Sequence, residues 1–200
     1  MPTEFGTFRI ISFERTTTPS KGKYANTVSS IHSINDFALV RKFEGVPIVR
    51  IHSECVTGDS LSSVRCDCGS QLNSALKLIQ TYGGVLLYLR QEGRGIGIDW
   101  KVKAYELQDK GFDTYDANVI LGFKPDERDY AIAVQMLKAL KITKVRLLTN
   151  NPEKVKQLEN YGIEVLERIP LHGSVTKSNA KYIKTKVEKF GHMLDKSIEF

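Results

Sequence analysis

The chain has 200 residues, 41% of them hydrophobic, which is enough for one sizeable core and too little to argue for two independent domains. Met1 to Ser20 is polar and Thr-rich, and no apolar run approaches the roughly 20 residues of a spanning helix, so no secretory leader and no membrane partner are expected and the location is read as cytoplasmic. A formal net charge of +6 favours anionic partners, either nucleic acid or a polyphosphate small molecule, without choosing between them.

From Gly6 to about Glu54 the segments GTFRIISF, YANTVSSIH, FALVRKF and VPIVRIH are rich in β-branched and aromatic residues and predict a mainly antiparallel front section. After Cys68 the period changes. Leu72, Ala75, Leu76 and Ile79 fall at helical spacing, and that helix should end near Gly83, followed by a buried strand from Val85 to Leu89. Further helices are predicted from about Ile98 to Lys110 and from about Asp126 to Leu140, the second with Ala133, Met136, Leu137 and Leu140 on one face. A strand from Val145 to Leu148 leads into Asn151-Pro152, an N-cap with proline at the first helical position. Helix Glu153–Tyr161, strand Ile163–Arg168 and a Lys-rich terminal helix complete the expected order. The fold class is therefore α/β, in an α+β mixed form: antiparallel strands, then alternating strands and helices, in one compact domain with a partly parallel sheet.

Three cysteines, Cys55, Cys66 and Cys68, lie in one short stretch, HSECVTGDSLSSVRCDCGSQL, which argues against a disulfide framework. Three thiolates without a fourth cysteine suit a catalytic zinc site, because the remaining tetrahedral position then holds water. His52 is a conceivable fourth ligand, but three residues from Cys55 on one strand it would point to the opposite face. Buried core cysteines and iron–sulfur ligation are the alternatives; some nucleobase deaminases use a similar zinc arrangement.

RQEGRGIG follows the buried strand and opens a helix, so it reads either as an anion cradle aided by Arg94 or as an ordinary turn. Lys154, in a helical first turn, suggests an anion opposite it; the plain alternative is a solvated lysine. Asp126, Glu127, Arg128 and Asp129 read as first-turn residues of a helix. Six lysines between Lys177 and Lys196 read as the solvated face of an amphipathic helix rather than a nucleic-acid stripe, since arginine is absent.

Taken together, RIHSEC, GDSLSSVRCDCG, RQEGRGIG, YELQDKGFDT, DERDY and LLTNNPEK, in that order, resemble the GTP cyclohydrolase II family of riboflavin biosynthesis over about residues 5 to 193. The resemblance implies one Zn²⁺ per subunit on Cys55, Cys66 and Cys68, whose bound water attacks carbon 8 of guanine to release formate. It also implies loss of pyrophosphate, a diaminopyrimidinone ribonucleotide product, Mg²⁺ with the triphosphate, and a homodimer that binds GTP and no nucleic acid. By the same resemblance Arg50, Ile51, His52, Ser53, Glu54, Gln71, Glu92, Gly93, Arg94, Thr114, Thr149 and Lys154 contact GTP, and Tyr105 serves ring opening. Asp126 would be a proton acceptor and Arg128 a nucleophile towards the α-phosphate. A charge clamp explains the need for Arg128 with less chemistry, because a guanidinium is a poor nucleophile. Ser62, Ser63 and Val64 depart from the bulkier apolar residues usual in that loop, and the chain is expected to be the monofunctional form.

Overall fold

The computed structural model describes residues 1–13 and 36–194. The predicted strand YANTVSSIH falls outside the described residues. Strands β1 (Pro2–Thr3) and β2 (Gly6–Thr7) form a small ribbon. A six-stranded sheet is built from β3 (Arg9–Phe13), β4 (Asp36–Arg41), β5 (Ile48–Ser53), β6 (Gly84–Leu89), β7 (Lys144–Leu148) and β8 (Glu164–Ile169), in the order β3-β4-β6-β5-β7-β8. The helices are α1 (Val56–Asp59), α2 (Cys68–Tyr82), α3 (Gly97–Asp109), α4 (Thr114–Ile120), α5 (Ala131–Ala139), α6 (Pro152–Asn160) and α7 (Ala180–Phe190).

The sheet is mixed, as the alternation of elements predicts. β3, β4 and β6 pair antiparallel, whereas β6, β5, β7 and β8 run parallel. One expectation is corrected here: VPIVRIH is no part of an antiparallel front. It supplies β5, a central parallel strand between β6 and β7. A strand covered on both faces reads apolar on both, and β5 does so except at Arg50 and His52, which are buried polar residues.

Side-chain alternation divides the core. Val49, Ile51, Val85, Leu87 and Leu147 pack with Ala133, Val134 and Leu137 of α5 and Leu158 of α6. Ile48, Leu86, Leu39 and Leu148 pack on the other side with Ala75, Leu76 and Ile79 of α2. By the two-residue period of a strand, Arg50 and His52 share the α2 face with Ile48. The carboxyl ends of β5, β6 and β7 thus release Ser53–Cys55, Arg90–Glu92 and Thr149–Asn151 along one edge, the usual place for a site in an open α/β sheet.

Two further differences from expectation concern helices. DERDY is not helical; α5 begins at Ala131. Asp126 Oδ1 accepts from Arg128 N, Glu127 N donates to the Arg94 carbonyl, and Asp129 Oδ1 caps Ala131 N, so the segment's main chain is claimed by turn contacts. Helix α4 was not anticipated, although Asp113 is a regular N-cap that accepts from Tyr115 N and Asp116 N.

Candidate active site

Cys55 caps α1, and Cys66 and Cys68 enter α2, so a short helix and the start of a long one deliver the three thiols to one point. Their Sγ atoms lie within 4.8 Å of one another, with Cys55 and Cys66 3.6 Å apart. Two glycines permit this. A Cβ on Gly58 would stand 3.0 Å from Cys66 Sγ and 3.1 Å from Cys55 Sγ, and one on Gly69 would fall 2.2 Å from the Gly58 carbonyl oxygen. Without a cation only one thiol ionises readily: hydrogen bonds from Cys66 and Cys68 drive Cys55 down, while Cys55 in turn pushes Cys66 up to about 11. Three soft donors whose joint ionisation needs a shared positive charge fit a zinc ion.

His52 is not a fourth ligand among the described residues. Its Nε2 is 2.9 Å from Asp59 Oδ2, which also accepts from Cys55 N and Tyr88 OH. Burial holds the imidazole neutral against that carboxylate. Cys55 lies beyond the end of β5, so the site is fixed by a turn and not by strand alternation.

Lys101, which the sequence did not single out, is central. Its Nζ donates to Cys55 Sγ (3.1 Å), Thr57 Oγ1 (2.9 Å) and Glu92 Oε1 (2.8 Å), and it is buried. Burial opposes its charge, but Cys55 and Glu92 outweigh burial and its pKa is raised. Glu92 accepts from Val56 N and Gly93 N as well, so one carboxylate ties the loop after β6 to the thiol turn. Tyr105 OH meets Thr57 Oγ1 at 3.0 Å, and the Arg65 guanidinium lies over its ring. Replacing Lys101 by methionine is expected to loosen metal retention about ten- to hundred-fold, the usual effect of losing such an outer partner. Competition against a chelator measures this, and unchanged retention would confine Lys101 to supporting Glu92.

Two adjoining chambers open here, sharing Ser53, Cys68, Arg94, Arg128 and Tyr182 as a common wall. The thiol chamber adds Glu92, Gly93, Lys101, Tyr105 and Thr114. The second adds Arg50, Gln71, Thr149, Lys154, Lys186 and His192. Arg94 reaches the wall because Gly93 and Arg94 are consecutively left-handed (φ 62° and 61°), an unusual conformation for arginine. Its guanidinium then donates to Thr114 Oγ1 and carbonyl and stacks on Phe190. The glycine-rich run is therefore a device for aiming Arg94. Gly97, at the start of α3, faces a separate groove.

The second chamber is strongly cationic. Arg128 is gripped by Asp126, with Nε at 2.8 Å and Nη2 at 2.5 Å from its carboxylate. Burial disfavours that guanidinium, yet Tyr130 and Asp126 raise its pKa overall. Asp126 is held low by Arg128 in spite of burial. Arg50 donates to the Leu148 carbonyl and Gln71 Oε1, leaving Nε buried without a partner. Lys154, first read as either anion-facing or solvated, is 5% exposed and donates only to the Ile51 carbonyl. Burial, then Arg50 and Arg128, force its pKa far down. Among the described residues Arg50, Arg94 and Lys154 have no carboxylate within ion-pair distance, so three basic side chains here lack an acidic partner, Arg50 and Lys154 buried and Arg94 half-buried.

The remaining candidates are placed as follows. Ser53 Oγ is buried without a partner beside both chambers, and Glu54 pairs with Arg90. Ile51 points into the core and offers only its carbonyl. Thr149 Oγ1 accepts from Asn151 N. Of the terminal lysines, Lys186 binds Asp67 and Lys189 binds Asp113 and Asp116, so that face is only partly solvated. No helix of the described residues is long and apolar enough to cross a membrane.

Comparison with known proteins bears on this arrangement. A family model described as GTP cyclohydrolase II matches residues 1–170. The riboflavin biosynthesis protein RibBA of Thermotoga maritima is 52% identical over 196 residues, covering 98% of this chain and 47% of that protein. GTP cyclohydrolase-2 of Haemophilus influenzae is 48% identical over 195 residues, covering 97% of this chain and 86% of that protein. The chain spans about half the length of the RibBA relatives it matches.

Proposed function

Because this chain belongs to the GTP cyclohydrolase II family, we propose that it hydrolyses GTP, releasing carbon 8 of guanine as formate and the terminal phosphates as pyrophosphate, to leave a diaminopyrimidinone ribonucleotide in riboflavin biosynthesis. The observation that carries this reading is the adjacency, across one wall, of a three-thiol chamber and a chamber lined by basic side chains, of which Arg50, Arg94 and Lys154 have no acidic partner among the described residues. A nucleotide needs both, one for its base and one for its phosphates.

Cys55, Cys66 and Cys68 would hold one zinc ion, which would supply Lewis-acid chemistry at the base end. Glu92 and Lys101 fix the thiol turn, and Tyr105, whose phenol burial keeps protonated, holds a proton within reach of the opening ring. Arg50, Arg94, Arg128 and Lys154 match the about four negative charges of GTP, with magnesium accompanying the triphosphate. Arg128 acts as a cation on the α-phosphate, aimed by Asp126; a guanidinium whose pKa is raised does not become a nucleophile. Asp126, already engaged by two guanidinium nitrogens, orients Arg128 in preference to accepting a proton. The protein acts in the cytoplasm as a homodimer.

The test is to follow formate and pyrophosphate together from GTP with the zinc-loaded protein and magnesium; both should appear, and absence of both overturns the reading. Tyr105→Phe separates the two ends. Formate release should fall about 10²- to 10³-fold while pyrophosphate persists, so that a formylated product accumulates. Equal loss of both would remove Tyr105 from ring opening.

A further inference from the structure

Helix α7 ends at Gly191, which is left-handed (φ 63°), and the chain turns back on itself. His192 N is held by the Lys186 carbonyl at 3.0 Å and Met193 N by the Asn150 carbonyl at 2.8 Å, so main-chain bonds fix His192 against the loop after β7. Its imidazole lines the cationic chamber and has no hydrogen-bond partner among the described residues. The basic groups that line the chamber with it come from five elements, Lys186 of α7, Lys154 of α6, Arg128 of the segment before α5, Arg94 of the turn before α3 and Arg50 of β5, with the titratable Cys68 and Tyr182 of α2 and α7 and the neutral His52 beside them; the first four act on it most strongly. The two carboxylates nearby are spoken for, Asp126 by Arg128 and Asp67 by Lys186. Burial and then these four cations push the ring's pKa down to about 2, so it stands neutral, an imidazole surrounded by charges of the one sign it cannot share.

Such a ring contributes nothing to the empty chamber that glutamine would not, but a polyanion changes its surroundings. Three or four phosphate charges reverse the local field, and a histidine can then gain a proton and a charge-assisted hydrogen bond together. We propose that His192, positioned with Lys186 by the C-terminal helix, is a substrate-binding residue that takes up a proton as it engages the polyphosphate. This rests on the reading that the second chamber receives the triphosphate. It also lies beyond residue 170, where the match to the family model ends. A group whose pKa is raised by binding strengthens binding below its bound-state pKa, so affinity should fall as pH rises through that value.

The test is calorimetric titration of the zinc-loaded protein with inorganic tripolyphosphate at neutral pH, in two buffers of different protonation enthalpy. The parent should take up close to one proton more than His192→Gln, on the order of the full change at one site, since any proton lost by the ligand or gained by Lys154 is common to both. His192→Gln should bind about ten-fold more weakly and lack that one proton, with guanosine binding and melting temperature unchanged. His192→Arg, whose guanidinium keeps its proton among other cations, should restore affinity without that extra proton. Parental affinity and proton uptake in His192→Gln would overturn the proposal. Failure of the parent to bind tripolyphosphate or GTP would instead overturn the polyphosphate reading beneath it.

Discussion

Cys66→Ser is expected to abolish retention of zinc and to lower formate release by at least about 10³-fold, because an alcohol at that position is neither ionised nor soft enough to complete the donor set. Pyrophosphate release should fall far less, since Arg50 and Lys154 line only the other chamber and Arg128 in the shared wall is held by Asp126 and not by a thiol. Melting temperature should match that of the zinc-free parent: the thiol turn is fixed by Asp59, Glu92 and the Gly58–Gly69 contact, none of which involves Cys66 as a hydrogen-bond donor. Metal content, both products and thermal melting measured on one preparation decide the matter. Zinc retained at parental level, with formate still released, would move the metal elsewhere.

The second large effect belongs to Arg128. Arg128→Lys keeps the charge and loses the fork by which Asp126 aims it, and pyrophosphate release should fall about 10²- to 10³-fold. Asp126→Asn, which keeps the guanidinium but loosens its grip, should cost less, about ten-fold. A charge clamp and a covalent nucleophile differ in one observable. Protein quenched during turnover of GTP labelled in the α-phosphate should carry no bound label; label in proportion to active sites would establish a covalent bond to the arginine and overturn the clamp.

Local features of this molecule were legible because their causes are local. The cap and proline of Asn151-Pro152 start α6 where expected, and Asn151 Oδ1 does accept from Glu153 N. The apolar spacing of α2 and the run of β6 were equally plain. Pairing was not, since β5 looks alike whether its neighbours run with it or against it, and only the distant β6 and β7 decide. DERDY misleads for a different reason: acidic residues suit both a helical first turn and side-chain turns, and contacts to Arg94 and Arg128 select the second. The three cysteines stood out by type and spacing, whereas Lys101, Lys186 and His192 did not. A lysine inside a helix is ordinary until a thiol and a carboxylate from other elements are folded against it. Lys154 shows the same limit, for its burial depends on β5, not on its own helix.

The contact between Gly58 and Gly69 has a consequence for the shape of the thiol site. Main chain touches main chain there, so the distance between the Cys55 turn and the Cys66–Cys68 turn is set by the fold itself. The width of the thiol site is therefore a property of the backbone, and a side chain at Gly69 would part the two turns and scatter the thiols.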